Sequence, residues 1–195
     1  MSVLFVIEHL EPRLSKWALI EYEHASLIVG KESLAFTNVK KGFNILQKFG
    51  KVYRESATEL FDNEKTVVLD PKANELLDPS DFCYAETVVV GGILGDNPPR
   101  GRTFKLITSK MKKVKARSLG KGQFSIDGAI YMALKVAQGV KLSEIPLATS
   151  LTLKSGCLEV YLPYSYPLVN GKPVISPKLI EYLMETDVVQ AGSRD

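Results

Sequence analysis

The chain of 195 residues is long enough for one domain with a complete hydrophobic core, and its 45% apolar and 24% charged content excludes a disordered or fibrous protein. The net charge of +3 hides a division, because Asn97 to Ile126 carries nine basic residues and no acidic one, against 16 basic and 22 acidic residues elsewhere. No window approaches the roughly 18 consecutive apolar residues of a membrane span, and the start lacks the basic and apolar regions of a signal peptide. A cytoplasmic protein with no membrane contact is expected. Cys83 and Cys157 lie far apart and match no metal spacing, so they read as buried thiols in a reducing compartment. With only His9 and His24 as imidazoles, no metal site is expected.

In chain order, Ser2 to Ile7 reads as a buried strand followed by Glu8 and His9 at its carboxyl end. Leu14, Trp17, Ala18, Ala25 and Ile28 then give one face of a helix that Gly30 stops. Leu34 to Thr37 is a second strand, Lys41 to Phe49 a short helix, and Thr66 to Leu69 a third strand that ends in Asp70-Pro71. Glu86 to Val90 is the most strand-like run, and Gly91-Gly92-Ile93-Leu94-Gly95-Asp96 follows it directly. A helix from Arg100 to Lys110 and a strand from Val114 to Ser118 lead to Leu119-Gly120-Lys121-Gly122, then to a helix from Ser125, its N-cap, to Gln138. Alternating strands and helices define an α/β fold with a mostly parallel sheet.

After Gly139 the pattern changes, with strands at Leu151 to Leu153 and Leu158 to Leu162, a turn at Asn170-Gly171 and a last helix from Ser176-Pro177 to Met184. Residues 1–195 thus read as a single domain in which 140–195 form a small C-terminal appendage.

Ligands of parallel sheets bind beyond the carboxyl ends of the strands, which selects three loops: Leu69-Asp70-Pro71, Gly91 to Asp96, and Arg117 to Gln123. Their glycines let backbone approach a ligand closely. The glycine order does not match a dinucleotide fingerprint, and neither a P-loop nor a nucleophile elbow occurs.

The string Val90-Gly91-Gly92-Ile93-Leu94-Gly95-Asp96-Asn97-Pro98-Pro99-Arg100-Gly101-Arg102-Thr103, with Ile7-Glu8-His9, Trp17, Leu69-Asp70-Pro71 and Leu119-Gly120 to Gln123, resembles the SPOUT-class methyltransferases of the yeast ribosomal-protein arginine methyltransferase family. The resemblance covers nearly the whole chain. It implies a sheet whose C-terminal part forms a trefoil knot, with S-adenosylmethionine bound in the knot. It assigns the cofactor to Leu69, Asp70, Pro71, Gly91, Gly92, Ile93, Gly95, Ser118, Leu119, Gly120 and Gln123. The segments Lys121-Gly122 and Phe124 to Gly128 depart from the yeast pattern. SPOUT enzymes often dimerise through the knot, whereas arginine-methylating relatives act alone, so both a monomer and a homodimer are compatible with the sequence.

A guanidinium is protonated at neutral pH and its nitrogens are poor nucleophiles, so an arginine acceptor requires carboxylates that orient it and take up a proton. Glu8 and Asp96 are the leading candidates, each otherwise a loop cap or surface ion pair, and Asp70 is placed so that local turn hydrogen bonds can satisfy it. Trp17 either stacks on the guanidinium or belongs to the core. Arg100 and Arg102 are candidates for substrate contact inside the site. The basic stretch 100–121 is either a solvated face or a phosphate-binding surface for RNA or a ribosomal particle. Ribosomal-protein arginine is therefore the first acceptor expected, RNA the second, and a non-catalytic ribosome- or RNA-binding knot protein the third reading.

Overall fold

A computed structural model describes residues 3–95, 100–155 and 158–191. Six strands form its main sheet: β1 (Leu4–His9), β2 (Leu34–Thr37), β3 (Lys51–Val52), β4 (Thr66–Leu69), β5 (Thr87–Gly92) and β6 (Lys115–Arg117). Their order is β3-β2-β1-β5-β4-β6, and every neighbouring pair is parallel. Both faces are covered, which explains why the strands read as continuous apolar runs. Phe5, Ile7, Phe36, Leu69 and Val90 pack with α1 (Lys16–Val29) and α5 (Ile126–Ala137), whereas Val6, Ala35, Val68 and Val89 pack with α3 (Ala57–Leu60) and with Ile107 and Met111.

The helix ends follow from local chemistry. Ser15 caps α1 by accepting a hydrogen bond from the Ala18 amide, and Gly30, at φ 84°, ends it. Ser125 caps α5 through the Gly128 amide. The helix expected from Lys41 contracts to α2 (Phe43–Leu46), and that expected from Arg100 to α4 (Arg102–Leu106) followed by a 3-10 turn at Thr108–Lys110.

Two boundaries differ in a way that bears on function. β1 continues through Glu8 and His9, and β5 continues through Gly91 and Gly92, because Glu8 pairs with Gly91 and His9 with Gly92. A ladder needs only backbone groups, so the glycines extend the strand rather than interrupt it. Gly92 is required there, since a Cβ would lie 2.5 Å from the Tyr22 hydroxyl and 2.8 Å from the Glu8 carbonyl.

The C-terminal part holds an antiparallel sheet of order β11-β10-β7, from β7 (Leu147–Ala148), β10 (Tyr166–Val169) and β11 (Lys172–Pro173), and an antiparallel pair, β8 (Leu151–Ser155) with β9 (Leu158–Leu162). Asn170 and Gly171, both at positive φ, make the two-residue turn. The last helix, α6 (Pro177–Ala191), runs past Met184, and its Leu179 and Leu183 pack with Ile20 of α1. Cys83 is exposed rather than buried, and Cys157 lies outside the described residues.

The basic stretch does not form one free face. Arg117 donates from Nε to both carboxylate oxygens of Asp81, at 3.0 and 2.9 Å, and its Nη1 lies 2.6 Å from Glu75. Lys115 sits 3.7 Å from the Tyr84 ring centre. Burial alone would raise the Asp81 pKa, but the hydrogen bonds from Arg117 and Tyr84 outweigh it and hold the carboxyl below its ordinary value. Arg117→Met leaves Asp81 buried and without its cation, and should cost about 3 kcal/mol in urea denaturation at neutral pH. The stability Asp81 provides is complete above the ordinary aspartate range and is lost as pH falls toward its depressed value, so the gap between wild type and variant should close in acid.

Candidate active site

Because all six strands run the same way, their carboxyl ends share one rim. There the structure forms a cavity of about 560 Å³, within the size range of small-molecule sites. It gathers the three loops selected from sequence: Leu69, Asp70 and Pro71 after β4, Gly91, Ile93 and Gly95 from β5 and its loop, and Ser118, Leu119, Gly120 and Gln123 after β6. Arg100 and Arg102 line it as well. Gly92 does not, since the alternation of the strand turns it toward Tyr22. Asp96 lies outside the described residues.

Leu69, Val90, Ile93, Leu119 and Ala129 supply apolar walls. Gly120 holds φ 96° with open space where a Cβ would be, whereas Gly95 is pressed so closely against the Gln123 amide and the Tyr164 ring that any side chain would collide. Asp70 is buried, accepting from the Lys72 amide in its own turn at 2.9 Å and from the distant Thr108 hydroxyl at 2.6 Å, so both of its oxygens are already engaged. It is the one carboxylate among the described lining residues, against Lys72, Arg100, Arg102 and Lys121. Arg102 donates to the Leu94 carbonyl at 2.6 Å, and Glu11 accepts from the Leu94 amide at 3.0 Å, so this pair fixes the loop after β5.

Known proteins resolve what this cavity belongs to. The family model of SFM1-like protein arginine N-methyltransferases matches residues 4–190. The chain belongs to the SFM1-like family. It is 28% identical to protein arginine N-methyltransferase SFM1 of Saccharomyces cerevisiae over 96% of both chains. The crystal structure of yeast SFM1 complexed with SAM superposes with a TM-score of 0.86 at 26% identity, covering 95% of this chain and 92% of the other. The crystal structure of dual-specific Trm10 from Thermococcus kodakaraensis shares the fold, with a TM-score of 0.57 at 21% identity over 73% of this chain and 96% of the other. The sheet is thus an α/β SPOUT fold.

In this SFM1-like chain Glu8 does not reach the cavity. Strand alternation sends its side chain to the α3 layer, where Oε2 accepts from the Thr37 hydroxyl at 2.5 Å and the Ala57 amide at 2.8 Å, and Oε1 from the Ser56 hydroxyl at 2.6 Å. The carboxylate is buried at the start of α3 and joins three elements. Trp17 does not line the cavity either. It borders a smaller void behind it, of about 10 Å³, and donates from Nε1 to Glu21 Oε1 at 2.6 Å.

Sequence reasoning missed Glu21, although its signal was present: a carboxylate one turn after Trp17 on the apolar stripe of α1. It is buried, with Oε2 accepting from the Ile126 amide at 2.9 Å. Burial foremost, and the neighbouring Asp127 charge next, push its pKa up to about 8. Lys72 and Thr103 were missed as lining residues: Lys72 carries no motif, and Thr103 ends the quoted string without having been assigned a role.

Two outcomes follow. Glu8→Ala strands three donors and should cost about 3 kcal/mol in chemical denaturation, while the affinity for a ligand in the cavity, measured by calorimetry, stays within about twofold. For Glu21, the folded state keeps a proton that the unfolded state, with an ordinary value of 4.5, has released. Its contribution to stability therefore falls as pH rises from about 4.5 to about 8. Urea midpoints of Glu21→Gln across this window should fall less with pH than those of the wild type.

Proposed function

We propose that this protein transfers a methyl group from S-adenosylmethionine to an arginine side chain of a ribosomal protein, in the cytoplasm and on a ribosomal particle. The observation that carries the reading is the cavity at the strand ends, in a fold that superposes almost end to end on a SAM complex of yeast SFM1. The residues present fit that cofactor. Leu69, Ile93 and Leu119 offer apolar faces for an adenine, the space at Gly120 admits a ligand against the backbone, and Lys72, Arg100 and Lys121 offer cations for a carboxylate. When bound, the cofactor supplies an electrophilic methyl group on a sulfonium.

What the chain itself must do is align the acceptor and exclude water. The clamp of Arg102 and Glu11 on Leu94 holds the loop after β5 in place for that task. A polyanionic particle as the setting of the acceptor is supported by the exposed Lys105, Lys110, Lys112, Lys113 and Lys121 on and beyond the segment that leads from the cavity. They also favour RNA as the alternative acceptor.

The expected result is saturable heat of S-adenosylmethionine binding in calorimetry, and transfer of radiolabelled methyl from it into ribosomes, with the label entering the protein phase on phenol extraction. Label retained with RNA would replace arginine by a nucleotide acceptor. Absence of both heat and label would instead leave a ribosome- or RNA-binding module.

A further inference from the structure

The void behind the cavity is separated from it only by residues that line both: Ile93, Gly95, Ser125 and Ile126. At about 10 Å³ it has room for one water. Its far wall is Trp17 and Glu21. Around Glu21 stand Trp17 and Tyr22 from α1, Asp127 from α5 with His24 bonded to it, Tyr164 in the lining of the void, and Tyr166 of β10. Asp127 is 1% exposed and bonded to His24 Nδ1 at 2.6 Å. The hydroxyl of Tyr166 is buried and has no hydrogen-bond partner among the described residues, although it feels the charges of both Glu21 and Asp127.

His24 Nδ1 is bonded to Asp127, whereas Glu21 is held by neutral donors, the Trp17 indole N–H and the Ile126 amide. Such a carboxyl gains by taking up a proton, which is the property a base needs when its partner is a weakly acidic nitrogen. Resting on the arginine reading above, we propose that Glu21 is the proton acceptor of methyl transfer, reached from the cavity through one water in the void. In the balanced step the acceptor nitrogen gains an N–C bond as the donor's C–S bond breaks, with that electron pair left on sulfur. The nitrogen's N–H bond then breaks, its proton passes to the water, and the water passes a proton to the Glu21 carboxylate. The methylated guanidinium keeps its single positive charge. Asp127 adds to the effect of burial on the proton affinity of Glu21 without touching the acceptor, and is therefore a positioning residue.

Trp17 is the only tryptophan in the chain, and its indole N–H is bonded to Glu21, so it reports the charge of that carboxyl directly. In the wild type the indole N–H resonance should titrate with a midpoint near 8, and single-turnover methyl transfer to the ribosomal protein fraction should rise about tenfold per pH unit below it and level off above. Glu21→Gln, which retains an acceptor for Trp17, should abolish the titration, slow transfer by about 100-fold, and flatten the pH profile, with S-adenosylmethionine affinity unchanged in calorimetry. Asp127→Asn should move the indole midpoint and the rate profile together to lower pH, and serves should the first variant fold poorly. Wild-type transfer matched by Glu21→Gln, or a rate profile that ignores the indole midpoint, would overturn the assignment of Glu21 alone. Transfer by the wild type to no protein would overturn it together with the arginine reading.

Discussion

The parallel pairing of β1 with β5, covered on both faces, is the constraint from which the site follows. A strand buried on both sides sends successive residues to opposite layers, so neighbours in sequence part company at the rim. Glu8 enters the α3 layer while His9 meets Tyr22 of α1 at 2.9 Å. The same alternation gives Gly91 to the cavity and Gly92 to the packing against Tyr22. Glycine is needed at position 92 for closeness of packing, and at 95 because the loop after β6 presses against it. Both requirements are steric.

Three buried acids show how differently one fold can treat the same functional group. Glu8 is given three donors, and Asp81 is given Arg117 and Tyr84. Glu21 also accepts two hydrogen bonds, yet it faces a second carboxylate rather than a cation, and its proton affinity rises. The first two arrangements fasten elements together, and at Asp81 the hydrogen bonds from Arg117 and Tyr84 favour the charged form. The third holds a carboxyl whose charged form is disfavoured by burial and by the neighbouring Asp127.

Much of this was legible beforehand, for reasons that differ between residues. Leu34 to Thr37 and Thr66 to Leu69 match β2 and β4 because a buried parallel strand is a short apolar run with polar ends. The three ligand loops were legible because parallel topology places them at one rim. The fate of Glu8 was not, since which side of a strand end faces the ligand depends on the register with β5 and on α3, a one-turn helix with too little sequence to signal itself. Glu21 was hidden for a related reason. Its meaning depends on Asp127, more than a hundred residues away, and only the packing of α1 on α5 brings the two together.

The apparent excess of positive charge between Asn97 and Ile126 also changes meaning once folded. Arg117 and Lys115 are absorbed by Asp81, Glu75 and Tyr84, and Arg102 is engaged with Glu11 and Leu94. The cavity itself is lined by Lys72, Arg100, Arg102 and Lys121 against the single carboxylate Asp70 among its described lining residues, while Glu21 and Asp127 lie behind it. An anionic group is favoured at the mouth, and a guanidinium whose nitrogens point past Ile93 and Gly95 to the void meets the Glu21 carboxyl there instead of the cations of the rim.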